Sequence, residues 1–309
     1  MAEAAELPVL PDSVLLHVLE LLPLRDRLRA ARVCRRWQRL AFDRAVWRDV
    51  DLSPHRLTSR TLWHLVRWRF RDSLQTLRLR GTLGSKRRLV SPALLAALRK
   101  RCPQLRRLCL AETNLCPVPY KSIPPSLTTL ELSRCEIPAT WFSAAMAPPQ
   151  LQHLVVCSVP AFADYHLLSV SSHSRLKTLS LSGTYRLTDT GIQQAAPQLE
   201  ELERLVLRLC PIGDAAAHFI GRHMKRLRFL ELRNAHTLTD AGLACLTTLQ
   251  RLETLCLELC DHISPGAVIA LCQALPQLRK LKLSGARFEE KVVDKIQASL
   301  PHCSCSHSP

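Results

Sequence analysis

The six-residue pattern L-x-x-L-x-L, its last position once valine, returns nine times along this chain, beginning at Leu74, Leu105, Leu127, Leu151, Leu176, Leu202, Leu227, Leu252 and Leu278. Successive starts lie 31, 22, 24, 25, 26, 25, 25 and 26 residues apart, a constancy that chance does not produce. A chain built this way must stack like units, because one unit cannot bury its apolar side alone. In "LKTLSL", "LRFLEL" and "LETLCL" the last two leucines alternate with other residues, the two-residue period of a strand with one face inward. The first leucine turns inward just before each strand.

Between the hexads the period changes and helix punctuation appears. Ser91 before Pro92, and Ser264 before Pro265, read as N-caps followed by proline at the first helical position. "SPALLAALRK" then reads as a short amphipathic helix. Proline recurs in "CPQL", "PPQL", "APQL" and "LPQL", where it stops the helix and launches the next segment. Each repeat is therefore a strand, a turn and a helix, and all spacings but the first match leucine-rich repeats. The expected fold is α/β: a horseshoe solenoid with a parallel sheet on the concave face and helices outside, over residues 74–309. The stretch "NLCPVPYKSIPPS" holds four prolines and should cross without a regular helix.

Three residues past the last leucine of each hexad stand Thr82, Thr113, Cys135, Val159, Thr184, Cys210, Ala235, Cys260 and Ala286, small side chains suited to a tight turn. This resembles the cysteine-containing class of leucine-rich repeat, whose "C-x-x-I/L-T-D-x-G" continuation is matched by "TYRLTDTG" and "AHTLTDAG" and, loosely, by "CDHISPGA". These cysteines read as packing residues, since thiols at this period sit on successive turns and cannot gather round one ion. No metal or cofactor is expected.

Residues 1–50 do not fit the repeat, and 51–73 form a connecting segment and the start of the solenoid. Three short helical patterns are separated by "LLPLRD" and "AFDRAV", with Asp12 or Ser13 placed to cap the first, Asp26 the second, and Pro23 between them. In "ARVCRRWQRL", Val33, Trp37 and Leu40 fall at i, i+4 and i+7 with Cys34 beside them, an apolar stripe ringed by Arg32, Arg35, Arg36 and Arg39. Leu15, Leu19, Leu22, Leu28, Val33, Trp37, Leu40 and Trp47 carry more apolar surface than three short helices hide, which marks a partner site.

"LPDSVLLHVLELLPLRDRLRAARVCRRWQRL", followed by "VW" near residue 47, resembles an F-box, and with the array behind it the chain resembles the F-box and leucine-rich-repeat family. The doubled "LPVLPD" leaves Leu7 and Pro8 or Leu10 and Pro11 as the leading contact; the second pair directly precedes the acidic cap and is assigned here. The resemblance implies a non-catalytic substrate receptor of an SCF-type ubiquitin ligase. Its F-box would dock the Skp adaptor, and through it cullin and the RING subunit, using Leu10, Pro11, Leu15, Leu22, Pro23, Leu28, Val33, Cys34, Trp37, Leu40 and Trp47. Its repeats would hold the protein destined for ubiquitination and proteasomal degradation.

No enzyme site emerges. There is no C-x-x-C pair for a RING-type zinc site, and nothing marks one of the thirteen cysteines as a nucleophile. An odd cysteine count with no signal peptide predicts reduced thiols in cytosol or nucleus, and no apolar run nears the roughly 20 residues a membrane span needs. "PHCSCSHSP" reads as a frayed or capping terminus and "GSKRRL" as a solvated loop. The net charge is +17. On outward strand positions, basic Arg78, Arg80, Arg107, Arg204, Arg208, Arg233, Lys280 and Lys282 face acidic Glu131, Glu231 and Glu258, eight against three. That excess predicts an acidic or phosphorylated protein ligand on the concave face. The competing reading is an adaptor-free repeat protein that binds acidic proteins or nucleic acid; the apolar head speaks against it.

Overall fold

The computed structural model describes residues 10–84, 88–142, 150–173, 175–235, 237–258, 262–284, 296–300 and 303–308. Three short helices come first, α1 (Asp12–Leu21), α2 (Leu24–Ala30) and α3 (Arg35–Ala41), followed by one 3-10 turn (Ala45–Trp47). The strands are β1 (Asp49–Asp51), β2 (Thr76–Arg80), β3 (Arg107–Ala111), β4 (Thr129–Ser133), β5 (His153–Cys157), β6 (Thr178–Ser182), β7 (Arg204–Arg208), β8 (Phe229–Arg233), β9 (Thr254–Glu258), β10 (Lys280–Ser284) and β11 (Ser304–Ser308). They form one sheet in chain order, each pairing parallel with the next. Between them run α4 (Ser59–Trp68), α5 (Pro92–Arg101), α6 (Asp164–His173), α7 (Asp189–Ala195), α8 (Asp214–His223), α9 (Asp240–Cys245) and α10 (Pro265–Ala274).

The leucine period is the core. The first leucine of every hexad, Leu74 to Leu278, is at most 6% exposed, and the two strand leucines stack in register from Leu77 and Leu79 to Leu281 and Leu283. Removing each from water contributes about 1.5–3 kcal/mol. Ser91 and Ser264 cap α5 and α10 as expected, each hydroxyl accepting from the backbone N–H three residues on at 3.2 Å. Where the prolines forbid a helix there is only a 3-10 turn (Tyr120–Ser122). Tyr120, Trp141, Phe142 and Phe162 fill that space, with ring centroids 4.9 to 6.0 Å apart.

Two devices repeat with the leucines. The residue directly after β3, β4, β5, β6, β7 and β8 has a left-handed backbone: Glu112, Arg134, Ser158, Gly183, Leu209 and Asn234, with φ between 50° and 64°. That reversal turns the chain sharply and drives the next residue inward, so Thr113, Cys135, Val159, Thr184, Cys210 and Ala235 are buried at 5% exposure or less. The second device is an aspartate in the first turn of the outer helix, which "L-T-D-x-G" carries at Asp189 and Asp240 and other sequence supplies at Asp164 and Asp214. Asp164 accepts from the backbone N–H and hydroxyl of Thr188, Asp214 from those of Thr239, and Asp240 from those of Ser264, at 2.6–2.8 Å. Each carboxylate thus satisfies the open start of the next repeat's helix. The glycine of the motif makes room: a Cβ on Gly191 would lie 2.2 Å from Asp164 Oδ1, and one on Gly242 2.2 Å from Asp214 Oδ1.

The sheet has two strands more than the nine hexads, because neither terminal strand carries the pattern. β1 reads Asp-Val-Asp, and β11 is the serine-rich tail, which therefore caps the edge. A boundary at residue 50 cuts through β1, and the connecting segment 51–73 holds α4, the helix of an atypical first repeat capped by Thr58. Cys260, Ala286 and residues 85–87 of "GSKRRL" lie outside the described residues. Thr82, unlike its described repeat equivalents, is exposed.

Candidate functional site: a helical docking face and a concave sheet

In the head, α1 is split lengthwise. Leu15 and Leu19, four residues apart, turn inward at 5% and 1% exposure. Val14, Val18 and Leu21, at i, i+4 and i+7, form the opposite stripe and are 43%, 42% and 75% exposed. Leu10 at 51%, Leu28 at 40% and Val33 at 69% extend this open apolar surface. Pro11 and Pro23, both exposed, occupy the N-cap positions of α1 and α2. Asp12 and Asp26 therefore lie inside the helices and cap neither.

Of the residues expected to meet the adaptor, Leu10, Pro11, Pro23, Leu28, Val33 and Cys34 are exposed, while Leu22 and Trp37 are half-buried. Leu15, Leu40 and Trp47 are corrected: they are 5%, 4% and 3% exposed and belong to the chain's own core. Trp47 donates its indole N–H to Ala41 O at 2.9 Å and packs on Phe42 and Phe70, joining head to solenoid. The stripe through Val33, Trp37 and Leu40 fails because α3 begins only at Arg35. Val33 sits in the preceding turn, and Cys34 is the N-cap, its sulfur accepting from Trp37 N at 3.5 Å. Val14, Val18 and Leu21 lie outside the expected set, although their i, i+4, i+7 spacing is legible in the sequence.

Arginines tie the head together. Arg36 and Arg39 meet the two carboxylate oxygens of Asp12 at 2.7 and 2.6 Å, fixing α3 against the start of α1. The hydrogen bond from Arg36 leads in holding the Asp12 carboxyl below its usual range. Arg27, 4% exposed, is the unexpected one. Its guanidinium donates to the carbonyls of Leu19, Glu20, Leu22 and Val46, satisfying the open end of α1. Burial lowers its pKa from the ordinary arginine value.

All eight cations expected on the concave face occupy outward positions of the sheet. The register also supplies counter-charges the sequence count had missed, since β1 adds Asp49 and Asp51. Arg107 meets Glu131 at 3.1 Å, and Arg208 and Arg233 both approach Glu231 Oε1 at 2.7 Å. The Arg233 contact is close but misaligned, because its Nε–H makes no hydrogen bond. Arg80 forks onto Glu112 at 2.8 and 3.0 Å, and this leads in lowering that carboxyl's pKa, with Arg134 adding to it. Arg78, Arg204, Lys280 and Lys282 have no acidic partner among the described residues.

Burial pushes the thiols of Cys102, Cys109 and Cys272 up to about 12, so they stay protonated. Among the described residues no three His, Cys, Asp or Glu side chains are grouped to hold a metal, and no helix is long and apolar enough to cross a membrane.

A helical head with an open apolar face, fused to a solenoid with an open concave sheet, defines an F-box-headed leucine-rich-repeat protein, and residues 7–53 match the F-box-like family model. Over 310 aligned residues the chain is 41% identical to human F-box/LRR-repeat protein 12, covering 97% of this chain and 95% of the relative. It is 39% identical to the mouse protein, covering 95% and 93%. The chain belongs to the F-box/LRR-repeat family. In fold it is similar to the yeast Rad7 and Elc1 complex structure (TM-score 0.59, 18% identity, 80% of this chain and 65% of that one). It is also similar to an internalin from Listeria monocytogenes (TM-score 0.52, 16% identity, 77% and 62%).

Proposed function

We propose that this chain is the substrate-recognition subunit of an SCF-type ubiquitin ligase: the head docks a Skp-type adaptor, which ties it to cullin and the RING subunit, and the solenoid holds the substrate protein. Family membership supports the role. The observation that carries it here is the stripe of Val14, Val18 and Leu21, continued by Leu10, Leu28 and Val33, on a unit whose other face is closed against the solenoid. A helix that exposes this much apolar surface in water is half of an interface. The chain itself performs no chemistry in this role. Its twelve described cysteines are all unpaired, which suits a reducing compartment, cytosol or nucleus. A nucleic-acid role is disfavoured, since Arg80, Arg107, Arg208 and Arg233 are already engaged by carboxylates.

The test is Val18→Glu combined with Leu21→Glu. Both side chains are exposed, so the fold and its circular dichroism should be unchanged, while co-purification of Skp adaptor and cullin should fall at least tenfold. A double variant that keeps its adaptor would overturn the proposal.

A further inference from the structure

The concave face is not uniformly basic. Over β1 to β4 its outward positions hold Arg78, Arg80 and Arg107 against Asp49, Asp51 and Glu131, so the charges balance. Over β5 and β6 they are His153, Val155, Cys157, Thr178, Ser180 and Ser182, with no carboxylate, lysine or arginine. Over β7 to β10 five cations, Arg204, Arg208, Arg233, Lys280 and Lys282, stand against Glu231 and Glu258. The excess charge therefore lies wholly on the half far from the head. Arg208 is hydrogen-bonded to Glu231 and Arg233 lies against the same carboxylate oxygen; Arg204, Lys280 and Lys282 are exposed and without an acidic partner among the described residues.

Arg204 and Lys280 share one register row, separated by Phe229 and Thr254. Three strand spacings put them roughly 14 Å apart, the reach of side chains four residues apart on an extended peptide at about 3.3 Å per residue. The Arg204 guanidinium lies 3.4 Å over the Phe229 ring, which holds it in place while its edge stays open to a carboxylate.

A second feature borders this strip. At the left-handed position after each strand, Glu112, Arg134, Ser158, Gly183 and Asn234 are polar or glycine, but after β7 the residue is Leu209, at φ 52° and 45% exposed. The turn does not call for a leucine, whose Cβ is disfavoured there. Tyr185, 65% exposed, lies in the loop that follows β6, one repeat earlier.

We infer that the solenoid captures its substrate through an unmodified acidic segment laid across β7 to β10, with carboxylates four residues apart on Arg204 and Lys280, a further one at Lys282, and an apolar side chain on Leu209 and Tyr185. This rests on the receptor reading above and names the substrate's chemistry. The full-length chain is exposed to a randomised twelve-residue peptide library, with a serine-phosphorylated library in parallel, and adaptor co-purification is followed separately so that failure of either reading is seen on its own. Enriched peptides should be rich in Asp and Glu, with an i, i+4 acidic pair and an apolar residue. Lys280→Glu with Lys282→Glu should lower that enrichment more than tenfold, while Arg99→Glu with Lys100→Glu on the convex helix, an equal change of charge, should leave it within twofold. Leu209→Gly, which suits the left-handed turn and so cannot act by unfolding, should weaken capture severalfold and Leu209→Met restore it. The inference falls if the selected peptides are no more acidic than the input, if only phosphorylated ones are retained, or if the concave and convex variants lose capture equally.

Discussion

The head and the solenoid of this protein treat the same residue, leucine, in opposite ways. In the solenoid every hexad leucine is covered by the next turn, the pattern repeats until β11 closes the edge, and in the later repeats the backbone donor at the start of the helix segment is met by an aspartate one repeat earlier. In the head, three short helices close over Leu15, Leu19, Leu40 and Trp47 but leave Leu10, Leu21 and Leu28 in water, and the unsatisfied carbonyls of α1 converge on one buried arginine. A stacked array completes itself by adding another copy of the same unit. A small helical unit has no next copy, so its surplus apolar face stays open to water.

The contrast breaks most visibly at the joint. Trp47→Ala removes the ring shared by Ala41, Phe42 and Phe70 and should cost about 3–5 kcal/mol. Hydrogen exchange should report the loss in α1 to α3 and β1, with β7 to β9 protected as before; loss spread evenly over the repeats would erase the distinction between the two parts. Arg27→Met, which strands buried carbonyls in the head alone, should cost about 2–4 kcal/mol and release the same helices. In the solenoid, Gly242→Ala forces a methyl group onto Asp214 and should cost about 1–3 kcal/mol, seen as a lower urea midpoint with adaptor binding intact. The smallest effect is one of pH. His166, 1% exposed, accepts from Ala163 N through Nδ1 and so donates from Nε2 to Pro138 O. Its pKa is lowered, mainly by burial, so below about 6.5 the unfolded chain takes up the proton more readily and stability falls; above that value the group contributes no pH dependence. The urea midpoint should drop less between pH 7 and 5 in His166→Gln than in the wild type.

The repeat was legible because it is periodic: hexad leucines, serine-proline caps and the proline-rich segment without a helix could each be read locally. The head was legible as a unit and not as a surface. A stripe drawn through Val33, Trp37 and Leu40 assumed one continuous helix, but the chain turns at Ala31 to Val33 and α3 starts two residues later, so Val33 faces water and Leu40 the core. Nothing along the chain singles out Arg27, because no local pattern shows that four carbonyls from α1, its end and the later 3-10 turn will converge on it.

The sequence by itself determined the solenoid, its inward leucines and the presence of a helical head, since these follow from spacing along the chain and from the residue types a strand, cap or turn accepts. Only the tertiary structure decided which charges remain free. Arg208 and Glu231 are 23 residues apart in sequence but 2.7 Å apart in space, because parallel register carries each strand's residues beside those of the next repeat. Whether a cation is neutralised depends on the residue beside it across that ladder, which separates the paired Arg107, Arg208 and Arg233 from the open Arg204, Lys280 and Lys282.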